Sequence, residues 1–216
     1  MTTLKEKLNS ARLYLVTSPE KPDGRPLLTT VEAALKGGVD IVQLRNYELP
    51  DEILLETACQ LRNLTLRYDA LFIVNNRPDI AFLSGADGVH VGQEDLPVFA
   101  ARSVIGEGKI VGLSTHDPDQ AKRAITEGAD YIGVGPVFAT PTKQGRPAAG
   151  LPFVTEVAGM NLSIPFFAIG GIDQNNLDSV IQAGATRISV VRCLMEAENP
   201  ESMARNLKGI LKNIVL

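Results

Sequence analysis

Three kinds of side chain with chemical potential recur just after short apolar runs in this sequence: cations, carboxylates with carboxamides, and small hydroxyls. The cations are Arg45, Arg77, Lys143 and Arg146. A guanidinium can grip a phosphate through two parallel hydrogen bonds, whereas a lysine supplies a movable point charge. Arg45 and Lys143, with Arg77, could therefore form an anion site. Asp95, beside Glu94, could hold a Mg2+ shared with phosphate oxygens, because that ion commonly takes only one or two carboxylates from a protein. Gln43, Asn75, Asn76, Ser114, Thr140 and Thr142 add neutral donors and acceptors. The run AIGGI, with Gly170–Gly171, offers another anion site, since backbone amides without a Cβ in the way can approach an oxyanion closely. The plainer alternatives are solvated loop charges for the ions and a tight turn before an Asp173-capped helix for the glycines.

Other chemistries find few residues to work with. There are two histidines, His90 and His116, too few for a histidine-rich metal cluster. His90 lies inside an apolar run and reads as a packed core residue more readily than as a base. His116 reads as a helix cap. No serine sits in a nucleophile elbow, and no GxGxxG follows the first strand to cradle a dinucleotide. Cys59 and Cys193 form no CxxC pair. They could make one disulfide, but read better as two reduced, buried thiols.

The elements that must position these groups alternate along the whole chain. Strands are expected at Leu13–Thr17, Asp40–Leu44, Leu71–Asn75, Gly88–Val91, Lys109–Leu113, Tyr131–Val134, Pro165–Ile169 and Arg187–Val191. Helical stretches such as Asp51–Tyr68, Asp117–Glu127, Gln174–Ala183 and Pro200–Ile214 fall between them. Alternation of this kind implies βαβ units and a parallel sheet. The segments GGVDIVQL, GADGVHVG, GADYIGVG and GATRISVV recur about every 50 residues, on the second, fourth, sixth and eighth strands. Each places a glycine at a helix end, where a left-handed residue caps the helix before a tight turn. A doubly wound open sheet also alternates, but does not predict this fourfold recurrence. The expected architecture is an α/β (β/α)8 TIM barrel, one catalytic domain over residues 1–216. Such barrels carry their active sites at the C-terminal strand ends, often with a phosphate between the loops after strands seven and eight. Gly170–Gly171 and Val191–Arg192 fall there. The stretch 136–150, PVFATPTKQGRPAAG, has neither helical nor strand period, and long irregular loops in compact domains are usually functional or mobile.

Bulk properties agree. At 216 residues the chain suits one lean barrel. Its 21 basic and 25 acidic residues give a net charge of −4, which argues against nucleic acid or an anionic membrane as partner. Small-molecule substrates remain, held by local cations rather than by an overall field. The start, MTTLKEKLNS, has no apolar signal region and no run is long enough to span a membrane, so a cytoplasmic location is expected. No helix face stands out as an association surface, which leaves the oligomeric state open.

The motifs VQLR (Val42–Arg45), VNN (Val74–Asn76), ADGVHVGQEDL (Ala86–Leu96), GLSTH (Gly112–His116), GADYIGVGPVFATPTK (Gly128–Lys143) and AIGGI together resemble the thiamine phosphate synthase family from Leu13 to about Leu194. The resemblance implies a transferase that joins hydroxymethylpyrimidine pyrophosphate to hydroxyethylthiazole phosphate with Mg2+ and releases pyrophosphate. It implies that Arg45, Lys143 and Ser114 act at the reacting centre and that Gln43, Asn75 and Ser114 meet the pyrimidine or its leaving group. Thr140, Thr142, Gly171, Val191 and Arg192 would hold the thiazole phosphate, and Asp95 and Asn76 would face the metal. The chain differs from the usual pattern at three positions: Tyr47 where Arg-x-Lys places lysine, Asn76 where aspartate is common, and Arg192 where many members carry serine. Two alternatives are a thiazole tautomerase of the same fold, which carries histidine where Pro136 stands, and a non-catalytic phosphate-binding barrel.

Overall fold

The computed structural model describes residues 2–17, 24–140 and 147–214. Eight strands, β1 (Leu13–Val16), β2 (Ile41–Leu44), β3 (Leu71–Asn75), β4 (Gly88–Val91), β5 (Ile110–Thr115), β6 (Tyr131–Val134), β7 (Phe166–Ile169) and β8 (Ile188–Val190), pair in sequence order into a closed barrel. Every pairing is parallel, and β8 returns to β1 with Leu13 opposite Ile188. The helices are α1 (Leu4–Ser10), α2 (Leu27–Lys36), α3 (Asp51–Arg67), α4 (Pro78–Leu83), α5 (Val98–Ile105), α6 (Pro118–Thr126), α7 (Gly150–Gly159), α8 (Leu177–Gln182), α9 (Arg192–Met195) and α10 (Pro200–Lys212). None of the described helices is long and apolar enough to cross a membrane. All eight expected strands form.

Two local expectations change. Strand β5 continues to Thr115, so Ser114 is a strand residue rather than a loop residue. Helix α8 begins only at Leu177, and Asp173 caps no helix. Its carboxylate instead accepts from the Asn175 amide at 2.8 Å, while Asn176 accepts from the Asp173 amide.

The sequence repeat acquires a mechanical meaning. In its first three copies an aspartate opens an even strand: Asp40, Asp87 and Asp130. Asp40 accepts from the amides of Arg12 and Leu13 at the start of β1, at 2.8 and 3.0 Å. Asp87 accepts from Phe72 at the start of β3, at 2.9 Å, and Asp130 from Val111 at the start of β5, at 2.8 Å. Each carboxylate also meets a cation from a flanking helix: Lys208, Arg62 and Arg102 respectively. The even strand thus clasps the odd strand before it and ties the pair to a helix. In the fourth copy Thr186 stands at the aspartate's position, and the next residue, Arg187, donates to the Asn9 carbonyl at 2.9 Å.

Core packing divides in two. A large apolar layer lies between the barrel and the helices, and a smaller one fills the barrel itself. The inner layer includes Ile41, Leu71, Ile73, Ile110, Tyr14, Tyr131 and Phe167, closed below by Leu8 of α1. Glycines on inward-facing positions make the aromatic part possible. A Cβ on Gly112 would lie 2.1 Å from Cζ of Tyr131, far inside van der Waals contact, so that ring occupies the space a larger residue would fill.

Asp87→Ala should destabilise the barrel by about 3 kcal/mol, because it strands a buried guanidinium and a strand amide together. Asp130→Ala should cost roughly half as much, since that carboxylate is more exposed and screened. Urea unfolding of both variants checks the order; equal losses would show that the clasp does not depend on burial.

Candidate active site

The C-terminal strand ends surround a cavity of about 340 Å³ to which all eight contribute. Its wall includes Gln43, Arg45, Asn75, Asn76, Asp95, Ser114, Thr140, Gly171, Val191 and Arg192. These are all the described members of the residue set that the family resemblance implies. Thr142, Lys143 and Arg146 lie outside the described residues. Arg77 does not join the cavity: its guanidinium donates to Asp51 at 2.6 Å and Asp79 at 2.7 Å, a pairing that holds both carboxyls below their usual range. The expectation that it shares an anion site with Arg45 is therefore corrected.

One side of the cavity is polar. The Arg45 amide donates to the buried Thr17 hydroxyl at 3.0 Å, which fixes the turn after β2. Arg45 Cζ stacks 4.8 Å from the centroid of the Tyr47 ring, within cation–π range. Asn75 Nδ2 donates to the Tyr47 hydroxyl at 2.9 Å. Tyr47, which stands where lysine is usual, thus joins the arginine of β2 to the carboxamide of β3. Asn76 adopts a left-handed backbone, φ 58°, a conformation asparagine tolerates better than most residues. On the same side, Asp95 folds back so that Oδ2 accepts from the Gly92 amide at 2.7 Å. A Cβ on Gly92 would lie 2.8 Å from that oxygen. The other carboxylate oxygen makes no hydrogen bond among the described residues.

The opposite side is backbone and glycine. Phe138 and Val137 donate to the carbonyls of Gly170 and Ile169, both at 2.9 Å, which lays the start of the sixth loop along the end of β7. A Cβ on Gly170 would meet Pro136 Cα at 2.6 Å, and one on Gly171 would meet Phe138 Cβ at 2.8 Å. Close packing already demands both glycines, and both residues line the cavity together with Val191 and Arg192.

The floor contains groups that the sequence did not mark as functional. Tyr14 and Tyr131 are fully buried, flank Phe167 edge-on, and share a hydrogen bond of 2.8 Å. His90 is buried as expected for a core residue, yet it also borders the cavity and meets Ser114 Oγ at 2.9 Å. Ser189 in β8 borders the cavity, and its buried hydroxyl has no hydrogen-bond partner among the described residues. A polar residue on the inward phase of a period-two strand was the signal available for His90 and Ser189. His116 is not a cap, a role Asp117 takes by accepting from Gln120. Instead His116 Nδ1 lies 2.6 Å from the Gly135 carbonyl and links the ends of β5 and β6. Both cysteines are free thiols, as expected, but each is partly rather than fully buried. Cys193 borders the cavity, but burial, reinforced by Asp173, pushes its thiol up to about 11, so it is protonated near neutrality and a poor nucleophile.

Burial, more than any other cause, also raises the ionisation of Tyr14 and Tyr131 above the ordinary tyrosine range. A raised folded value favours the protonated native state, so this contribution is complete below about pH 10 and is lost as pH climbs beyond it. Stability should fall more steeply with pH above about 10 in the parent than in Tyr14→Phe. Urea midpoints at successive alkaline pH values check this; parallel slopes would contradict it.

Comparison with known proteins places this geometry. The family model described as thiamine monophosphate synthase matches residues 13–194, the span over which the motifs resemble that family. The thiamine-phosphate synthase of Nostoc sp. (strain PCC 7120) is 51% identical over 207 residues, covering 96% of this chain and 58% of that protein. That of Gloeobacter violaceus is 54% identical, covering 91% of this chain and 56% of that protein. The chain thus spans less than two thirds of the length of these two relatives. The thiamine-phosphate synthase of Mycolicibacterium gilvum, 46% identical, is covered over 91% of its length. Among solved structures, thiamine phosphate pyrophosphorylase from Pyrococcus furiosus superimposes with a TM-score of 0.87 at 34% identity, covering 99% of this chain and all of that one. On the extent of that match and the identity of its relatives, this chain belongs to the thiamine monophosphate synthase family.

Proposed function

We propose that the protein couples hydroxymethylpyrimidine pyrophosphate with hydroxyethylthiazole phosphate to give thiamine phosphate and pyrophosphate. The observation that carries this reading is one cavity with two unlike anion-binding sides. Arg45, Asn75, Asn76 and Asp95 lie on one, and the Gly170–Gly171 backbone with Val191 and Arg192 on the other. Two phosphorylated substrates can enter from opposite sides and meet between them.

The donor set suits Mg2+. Asp95 offers a carboxylate oxygen and Asn76 a carboxamide oxygen, and no group of three ligating His, Cys, Asp or Glu side chains occurs among the described residues. One carboxylate with substrate oxygens completing the shell is the usual arrangement for this ion in phosphate chemistry. When bound, Mg2+ would neutralise charge that accumulates on departing pyrophosphate oxygens.

The chain's own residues do the rest. Arg45, steadied by Tyr47, grips the leaving group, and Lys143 adds a second positive charge from the sixth loop. The bond between the pyrimidine methylene carbon and the pyrophosphate oxygen breaks, and its electron pair departs with pyrophosphate. Gln43, Asn75 and Ser114 hold the pyrimidine in place while the electron-rich ring stabilises the carbocation. The lone pair of the thiazole nitrogen then forms the new carbon–nitrogen bond, with Thr140, Thr142, Gly171, Val191 and Arg192 orienting the thiazole phosphate. Positioning and charge neutralisation suffice for such a step, and it needs no covalent nucleophile. The tautomerase of the same fold would use a base at the position of Pro136, which borders this cavity and carries no titratable group.

Incubating the purified protein with both substrates should release thiamine phosphate and pyrophosphate in equal amounts, and only with Mg2+. Binding of thiazole phosphate without product would instead favour a silent phosphate-binding barrel. Lys143→Ala should lower kcat/KM at least tenfold, equivalent to about 1.4 kcal/mol of transition-state stabilisation. Asp95→Ala should abolish the Mg2+ response; an unchanged response would put the metal elsewhere.

A further inference from the structure

At the cavity floor runs a continuous line of hydrogen bonds whose three middle members, Tyr14, Tyr131 and His90, have no role in the reaction just described. Gln43 Nε2 donates to the Tyr14 hydroxyl at 2.6 Å. The Tyr14 and Tyr131 hydroxyls are 2.8 Å apart, and Tyr131 is 2.9 Å from His90 Nδ1. His90 Nε2 is in turn 2.9 Å from Ser114 Oγ. The relay crosses the barrel from β2 through β1, β6 and β4 to β5. All five residues border the cavity, with Gln43 and Ser114 at the two ends of the line. The rings between them are packed too closely to rearrange independently: Tyr131 fills the space left by Gly112, and Tyr14 and Tyr131 both stand edge-on to Phe167.

Hydrogen-bond arithmetic gives the relay a direction, because a hydroxyl has one proton and a neutral imidazole has one donor and one acceptor. Gln43 donates to Tyr14, and the buried Tyr14 proton has the Tyr131 oxygen as its acceptor among the described residues, so Tyr14 donates to Tyr131 and Tyr131 to His90 Nδ1. The imidazole proton then sits on Nε2 and points to Ser114 Oγ. Ser114, already accepting, is left to donate its proton into the cavity. Gln43, already donating, keeps its carbonyl oxygen as an acceptor. Reversing either end would require the amide, both phenols and the imidazole tautomer to turn over together, and such chains are cooperative. The rise in both tyrosine ionisations caused by burial keeps the relay protonated.

We propose that this relay makes Tyr14, Tyr131 and His90 positioning residues that set Gln43 as an acceptor and Ser114 as a donor. The pocket would thereby select a pyrimidine bearing an amino donor beside a ring-nitrogen acceptor. A 4-oxo ring with a protonated neighbouring nitrogen presents the opposite pattern and is disfavoured. The inference rests on the pyrimidine pyrophosphate being the ligand of this site.

The test measures affinity by calorimetry, in Mg2+ and without thiazole phosphate, for the aminopyrimidine pyrophosphate and for the same compound with an oxo group in place of the amino group. The parent should prefer the amino compound at least a hundredfold. Tyr131→Phe removes one oxygen and cuts the relay in the middle, so the preference should shrink at least tenfold. Tyr14→Phe, which severs Gln43 alone, should do the same and serves if the first variant does not fold. Loss of affinity for both compounds by one common factor, with the preference intact, would mark the tyrosines as merely structural and overturn the proposal. So would a parent that binds both compounds equally. Selective binding with no thiamine phosphate formed in the coupled assay would sink the synthase reading and leave the relay standing. Turnover with an unchanged preference in both variants would do the reverse, and a parent that binds neither compound would overturn both.

Discussion

Closure of the barrel through the pairing of β8 with β1 is the constraint on which the other features depend. Strands in a closed parallel sheet have no free edge, and their C-terminal ends must converge on one mouth. That convergence brings Gln43, Asn75, Asp95, Ser114 and Val191, far apart in sequence, to one cavity. The aspartate clasps set the other rim. By bonding an amide near the start of β1, β3 and β5, Asp40, Asp87 and Asp130 fix where three strand pairs begin, and strand starts set in this way hold the strand ends in register as well.

Filling the barrel poses a different problem. The upper interior holds two phenols, an imidazole, a carboxamide and a hydroxyl, all costly to bury without partners. They are tolerated because they satisfy one another in a single file, and because glycines on neighbouring strands leave room for the rings. The same file reaches the cavity at both ends. Burial therefore links the packing of the interior to the hydrogen-bonding face shown to a ligand, and the inner core is part of the site rather than a support beneath it.

The polar side of the cavity is also distinctive in charge. A lysine and an aspartate of the family pattern are replaced here by Tyr47 and Asn76, so a positive and a negative charge disappear together and the local balance is kept. Tyr47 substitutes contact for charge: its ring lies against Arg45 and its hydroxyl accepts from Asn75. A stacked, tethered guanidinium loses less conformational freedom when it grips an anion than a free one does. Arg192 borders the far side of the cavity, beside the glycine backbone.

Much of this was legible in the chain itself. Apolar runs covered on both faces, spaced by amphipathic stretches, specify eight parallel strands, and the fourfold repeat specifies closure, because each copy is one turn of the same unit. Residues just beyond the runs mark the site, since the fold leaves nowhere else for them to gather. Tertiary structure decided the rest. Arg77 follows β3 as plausibly as Arg45 follows β2, yet Asp51 and Asp79 capture it, a competition between partners that spacing does not encode. The repeat's aspartates look like turn residues until the preceding strand is placed beside them. Tyr14, Tyr131 and His90 read as ordinary core, because whether an inward polar group touches another across a barrel depends on stagger and on the glycines opposite. Sequence periodicity determines which face a side chain takes; only the closed barrel determines what it meets there.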